Sequence, residues 1–297
     1  MPRHLAAIAG AAGAAIAAVA AAQALAQPEK PAALGALAEA TTIAYGRDPL
    51  QQLDFYRART QAAPLVVFIH GGGWKRGDKA MMRGSDKLAH WRARGYAVAS
   101  LNYRLVPRAR VEDQAADVAA ALAKLRGQAG ALGIDPTRVV LVGHSAGAHL
   151  AALVGTDPQW LHGAGLSLNA VRGIVALDGA GYDVPSQMSA NQRLLGNTYA
   201  QAFGTEQARQ LALSPTAHAA APNAPAFLIL HISGRADATR QSAELAQALR
   251  RAGTPTELKA VAGKGLKGHM EINRRLGDPA YPATPIVDDW LARIFAR

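Results

Sequence analysis

The stretch Arg138-Val139-Val140-Leu141-Val142-Gly143-His144-Ser145-Ala146-Gly147-Ala148-His149-Leu150 decides the fold. Its first half is a short, continuous, β-branched apolar run, which is how a strand buried on both faces reads. His149-Leu150-Ala151-Ala152-Leu153 then opens a helix, so the chain must pass from strand to helix through Gly143-His144-Ser145-Ala146-Gly147. A turn that abrupt strains the central serine and leaves its hydroxyl exposed, and small residues on both sides permit the close approach. Ser145 is the candidate nucleophile.

On either side of this stretch the chain alternates buried strands with amphipathic stretches. Strands are predicted at Thr41–Tyr45, Leu53–Tyr56, Pro64–His70, Tyr96–Tyr103, Val171–Leu177, Ala226–His231 and Glu257–Val261. Helices are predicted at Lys79–Arg94, Val111–Gln128, Thr239–Arg251 and Thr284–Ala296. The alternation predicts an α/β fold with a mostly parallel central sheet and helices on both faces. Residues 179–223 lack clean strand periodicity and are long for a connection, so a small inserted helical cap is expected there.

A serine hydroxyl needs a base, and attack on a carbonyl creates an oxyanion that needs donors. Consecutive glycines in His70-Gly71-Gly72-Gly73-Trp74 let backbone N–H groups turn toward one point without side chains in the way. His144 and His149 flank the nucleophile, but no H-E-x-x-H or other ligand cluster accompanies them, so they read as packing or helix-start hydrogen-bonding residues. The 297 residues contain no cysteine, which removes disulfides, thiolate metal sites and cysteine nucleophiles. No metal or cofactor is implied.

The ordered set His70-Gly71-Gly72-Gly73-Trp74, Asn102-Tyr103-Arg104-Leu105, Ile134-Asp135-Pro136-Thr137-Arg138 and Gly143-His144-Ser145-Ala146-Gly147-Ala148-His149-Leu150 resembles the α/β-hydrolase superfamily. Within it the chain is similar to the esterase branch: hormone-sensitive-lipase-like, kynurenine-formamidase-like and bacterial feruloyl-esterase-like enzymes. The resemblance covers about Leu37 to the C-terminus. It departs from the hormone-sensitive-lipase-like pattern where a Glu usually follows the Tyr-Arg-Leu element and this chain reads Val106-Pro107-Arg108.

The resemblance implies a triad in the order Ser, Asp, His. Asp237, in His231-Ile232-Ser233-Gly234-Arg235-Ala236-Asp237, fits the acid, and His269 fits the base. Asp178, just after an earlier strand, is the rival acid, since some superfamily members draw theirs from there. The oxyanion donors would be the backbone N–H groups of Gly72, Gly73 and Ala146. Trp74 would narrow the substrate entrance or else serve as a buried anchor for the glycine loop. Arg104 and Asp117 are expected to form a structural ion pair.

The implied activity is hydrolysis of carboxylic esters through an acyl-enzyme on Ser145. Two alternatives use the same fold: an amide-bond hydrolase, either arylformamidase or peptidase, and a catalytically silent binding protein. The cap region is rich in polar and small residues, among them Ser186, Gln187, Ser189, Asn191, Gln192 and Asn197. It lacks the apolar face of an interfacial lid, so small soluble esters with short acyl groups are expected.

Composition and the N-terminus bound the setting. Half of the residues are hydrophobic and 18% are charged, with a mean hydropathy of +0.01, which excludes disorder, collagen and coiled coil. The net charge is +11, yet the cations come in ones and twos, so a solvated basic surface is expected and no nucleic-acid partner. Arg3 and His4 precede an alanine-rich apolar run that ends in Ala24-Leu25-Ala26. That is the pattern of a signal peptide cut after Ala26, followed by a linker at 27–36 and the hydrolase domain at 37–297. A periplasmic or secreted protein without a stable membrane anchor is expected.

Overall fold

The computed structural model describes residues 40–83, 85–190, 197–220 and 222–297. The expected signal segment and linker lie outside them. Eight strands form one sheet: β1 (Thr41–Ala44), β2 (Gln52–Tyr56), β3 (Ala63–Ile69), β4 (Ala97–Leu101), β5 (Ile134–His144), β6 (Gly173–Leu177), β7 (Phe227–Gly234) and β8 (Thr256–Lys264). Their spatial order is β1-β2-β4-β3-β5-β6-β7-β8. The β1–β2 and β2–β4 pairs are antiparallel and the other five are parallel.

The strand period of two sorts the core into two layers. Leu65, Val67 and Ile69 of β3 face one layer, while Val66 and Phe68 face the other. The first layer is closed by α2 (Val111–Gly127), α3 (Ala129–Leu132), α4 (Ala146–Thr156), α5 (Pro158–Gly163) and α10 (Ala236–Arg251), the second by α1 (Asp86–Ala93), α11 (Gly265–Arg274) and α12 (Ala283–Phe295). This is the mostly parallel, doubly covered sheet expected of an α/β-hydrolase fold.

Local chemistry sets the boundaries. Asp113 at the third position of α2 accepts from the Arg110 backbone N–H at 2.8 Å, satisfying a donor that the helix leaves free. The predicted Lys79–Arg94 helix is instead a 3₁₀ turn at Lys79–Met82 followed by α1. Asp78 holds that turn by accepting from Ala80 N–H at 2.7 Å. Arg104 and Asp117 form the expected ion pair at 2.7 Å, and Asp117, almost fully buried, also takes the Arg104 backbone N–H.

The described residues of 179–223 carry four short helices: α6 (Val184–Ala190), α7 (Thr198–Phe203), α8 (Gln207–Ala212) and α9 (Pro215–His218). Residues 191–196 and 221 of that segment are outside the described set. Specific polar contacts fix the segment to the body. Arg209 of α8 grips Glu112 of α2 with two bonds of 2.7 and 2.8 Å, and Gln241 of α10 donates to Gln187 of α6 at 2.8 Å.

Candidate active site

Ser145 stands between β5 and α4 with φ 56° and ψ −120°, a conformation that costs an L-residue about 1–3 kcal/mol and persists only where the surroundings enforce it. Here the close crossing of β5 and α4 enforces it, and glycines permit that crossing. A methyl on Gly147 would lie 2.1 Å from the Ile69 carbonyl oxygen, and one on Gly143 would lie 2.1 Å from the Gly147 oxygen. Strand and helix can therefore cross this closely only without side chains at both positions. Ser145 N–H donates to Leu177 O at 3.0 Å, which ties the turn to the neighbouring strand.

The β5–β6 register pairs His144 with Leu177, so the next residues, Ser145 and Asp178, leave adjacent strand ends together. His269, on α11, bridges them. Its Nε2 lies 3.0 Å from Ser145 Oγ, and its Nδ1 lies 2.6 Å from Asp178 Oδ2. The carboxylate brought to His269 is thus that of Asp178, the rival, and not that of Asp237. Asp178 leaves β6, the strand beside that of the serine, whereas Asp237 comes after β7, one strand further out, in the first turn of α10.

Asp178 is fully buried, which alone would raise its pKa. The His269 hydrogen bond, the Arg235 charge and a 2.9 Å bond from Ile232 N–H together outweigh burial and hold it below the usual carboxylate range. Arg235 was not foreseen. Its Nη1 donates to Asp178 Oδ2 and lies 2.8 Å from His269 Nδ1, so the carboxylate is shared by a permanent cation and the imidazole.

The glycine loop runs beside the elbow. A methyl on Gly71 would stand 2.9 Å from Ser145 Cβ, so the loop lies directly against the serine. Gly72 and Gly73 adopt φ +130° and +62°, values that favour glycine. Ala146 opens α4, where first-turn N–H groups have no acceptor within the helix. The three expected oxyanion donors are therefore backbone groups on two adjacent elements.

Of the two readings of Trp74, its burial fits the anchor: the side chain is only 2% exposed. Its Nε1–H donates to His149 Nδ1 at 3.2 Å, and its ring packs on His149 and on Tyr199 and Phe203 of α7. Its carbonyl accepts from Val106 N–H and Gln114 Nε2. His149 in turn donates Nε2–H to Leu213 O at 2.8 Å. Burial pushes the His149 pKa down to about 4, which keeps this bridge between glycine loop and cap neutral. Tyr103 supports the loop from below, donating to His70 O at 2.9 Å while its ring stacks on His70.

No group of three or more His, Cys, Asp or Glu suited to a metal occurs among the described residues. No helix among them is long and apolar enough to cross a membrane.

A sheet of this order with a serine on the strand-to-helix elbow and a histidine–carboxylate pair at the neighbouring strand ends defines an α/β-hydrolase. The BD-FAE family model matches residues 53–249, and the chain belongs to that family. Esterase LipC of Mycobacterium tuberculosis is 36% identical over 142 residues, covering 44% of this chain and 35% of LipC. The probable carboxylic ester hydrolase LipM of the same organism is 31% identical over 210 residues, covering 65% of this chain and 46% of LipM. The chain thus spans well under two thirds of these relatives. Among solved structures, the butyrate-bound esterase Est2 of Thermogutta terrifontis superposes with a TM-score of 0.68 at 23% identity, over 88% of this chain and 96% of Est2.

Proposed function

We propose that the protein is a serine hydrolase of carboxylic esters that works through an acyl-enzyme on Ser145. The observation that carries this reading is the continuous chain from Ser145 Oγ to His269 Nε2, and from His269 Nδ1 to Asp178 Oδ2, at 3.0 and 2.6 Å. Ser145 O–H donates to Nε2. As Oγ attacks the ester carbonyl, that proton passes to His269, and Asp178 stabilises the imidazolium and fixes its tautomer. The N–H groups of Gly72, Gly73 and Ala146 receive the oxyanion. The imidazolium then gives its proton to the leaving alcohol oxygen, and water, deprotonated by His269, releases the acid and frees Ser145. The ester-hydrolase names carried by LipC and LipM support the same reading.

Small soluble esters with short acyl groups are the proposed substrates. The polar cap supports this choice, as does its close approach to the glycine loop: a methyl on Gly73 would lie 2.9 Å from Thr198 Cγ2. Export after cleavage behind Ala26 is proposed on the Ala24-Leu25-Ala26 pattern, and N-terminal sequencing of protein from its native cell tests it. Activity is tested with p-nitrophenyl esters from acetate to palmitate, with N-formylkynurenine alongside. The expected kcat/KM is highest at the short-chain end. A long-chain maximum with activation at a lipid interface would make the protein a lipase, and a higher kcat/KM on the formamide would make it an amidohydrolase.

A further inference from the structure

The residue between Gly143 and Ser145 has no part in the proton path, yet it touches the base. His144 ends β5 with its ring buried. Its Nε2 lies 2.8 Å from the backbone oxygen of His269. A carbonyl can only accept, so Nε2 carries the proton. The two imidazoles face each other at 4.6 Å between centroids, tilted by 34°. One side chain thus spans directly from the residue before the serine to the backbone of the base.

The need for such a span follows from connectivity. His269 is separated from Ser145 by 124 positions and stands on α11, whose outer face carries the exposed Leu266 and Met270. The same helix is held one turn further on by Lys87 of α1, a buried residue whose Nζ donates to Asn273 O. Residues 269 and 273 are four apart, so the two bonds fall on one face of α11. They fasten the helix to β5 and α1 at successive turns.

We propose that His144 is a positioning residue for the base: its Nε2–H bond to the His269 carbonyl sets the reach of His269 Nε2 to Ser145 Oγ. This rests on the reading of Ser145 and His269 as nucleophile and base. A neutral ring suits the task, because a second cation beside the imidazolium of the transition state would oppose its formation. Burial, followed by the nearness of His269, pushes the His144 pKa down to about 3, so the ring stays neutral at any pH where a histidine base works.

A misplacement of 1 Å in a reacting group costs on the order of 100-fold in rate. The test compares wild type with His144→Leu, which keeps bulk but loses the donor, and His144→Gln, whose amide nitrogen reaches about the place of Nε2. Three quantities are read for each: kcat and KM on p-nitrophenyl acetate, the rate of labelling by a fluorophosphonate, and Tm. Expected for His144→Leu are a kcat lower by about 10- to 100-fold, a KM within about twofold of wild type, and labelling slowed in parallel. His144→Gln should recover most of the loss in both rates.

A His144→Leu kcat within twofold of wild type overturns the proposal. So does a His144→Gln variant as slow as His144→Leu, since the ring would then matter for packing alone. If His144→Leu does not fold, the Gln variant decides: a kcat more than about tenfold below wild type at an unchanged Tm sinks the donor argument. Peptide mapping separates the two levels of inference. Wild-type protein not labelled at Ser145 overturns the reading of the site, whereas normal labelling of Ser145 in both variants overturns only the role of His144.

Discussion

The site has two halves built on different principles. On one side the elbow at Ser145 and the glycine loop are positioned by backbone meeting backbone: Gly147 against Ile69, Gly143 against Gly147, Gly71 against the serine. On the other side Asp178, Arg235, His269 and His144 are positioned by side-chain hydrogen bonds between β5, β6, β7 and α11. Backbone contact tolerates no added atom. Side-chain networks tolerate exchange of partners, so the same work can be done from different strand ends.

The comparison breaks most decisively at the point where the halves meet. Ser145→Ala and His269→Ala should each lower kcat on p-nitrophenyl acetate by on the order of a million-fold with Tm nearly unchanged, because triad members act as a unit. More than a few per cent of wild-type activity in Ser145→Ala would remove the nucleophile from the scheme. The next largest effect falls on the side-chain half. Asp178→Asn should cost about 10⁴-fold in kcat by presenting the wrong imidazole tautomer, and Asp237→Asn should cost far less. The reverse ranking would return the acid to β7.

This division also explains what could be read before the structure. The elbow and glycine loop were legible because their geometry forces glycine into fixed places in the sequence. The sheet was legible because strands buried on both faces, such as Leu65–Ile69 and Val139–Val142, are continuously apolar. The acid was not, because two Asp residues follow strands and only pairing order tells which strand lies beside β5. A local signal did exist: Asp178 follows β6 immediately, as Ser145 follows β5, whereas Arg235 and Ala236 stand between the end of β7 and Asp237. Arg235, and the contact of His144 with the base, were not legible because neither residue has a fixed spacing to the groups it touches. Helix α11 was missed because Gly265 and Gly268 interrupt its period.

The backbone half can be broken without touching any reacting group. Gly147→Ala would place a methyl 2.1 Å from the Ile69 oxygen and 2.5 Å from the His70 oxygen, and neither carbonyl can move without disturbing β3 or the glycine loop. A loss of about 3–5 kcal/mol in unfolding free energy is expected, at the large end for single substitutions, together with loss of activity. Urea denaturation measures it. A Gly147→Ala protein with unchanged midpoint and normal kcat would show that the elbow is less constrained than its contacts indicate.

The smallest effect tests the side-chain half through a charge. Lys87 is 2% exposed, lies over the Phe68 ring, and donates to the Asn273 carbonyl near the end of α11, where a cation suits the helix dipole. Burial nonetheless disfavours its charge and pushes the pKa from 10.5 down to about 8. Below about pH 8 the amine is protonated in both folded and unfolded chains, and the folded protein bears the cost of the buried cation. Between about pH 8 and 10.5 the unfolded chain binds the extra proton, so stability rises with pH across that window, by up to about 3 kcal/mol from this group. Lys87→Met should abolish this rise, and the difference between the two proteins cancels the other groups that titrate there. Urea midpoints from pH 7 to 10.5 give the comparison. Wild type and Lys87→Met following parallel curves would show that the amine pays no penalty where it sits, and α11 would then be held at that turn by packing rather than by a buried cation.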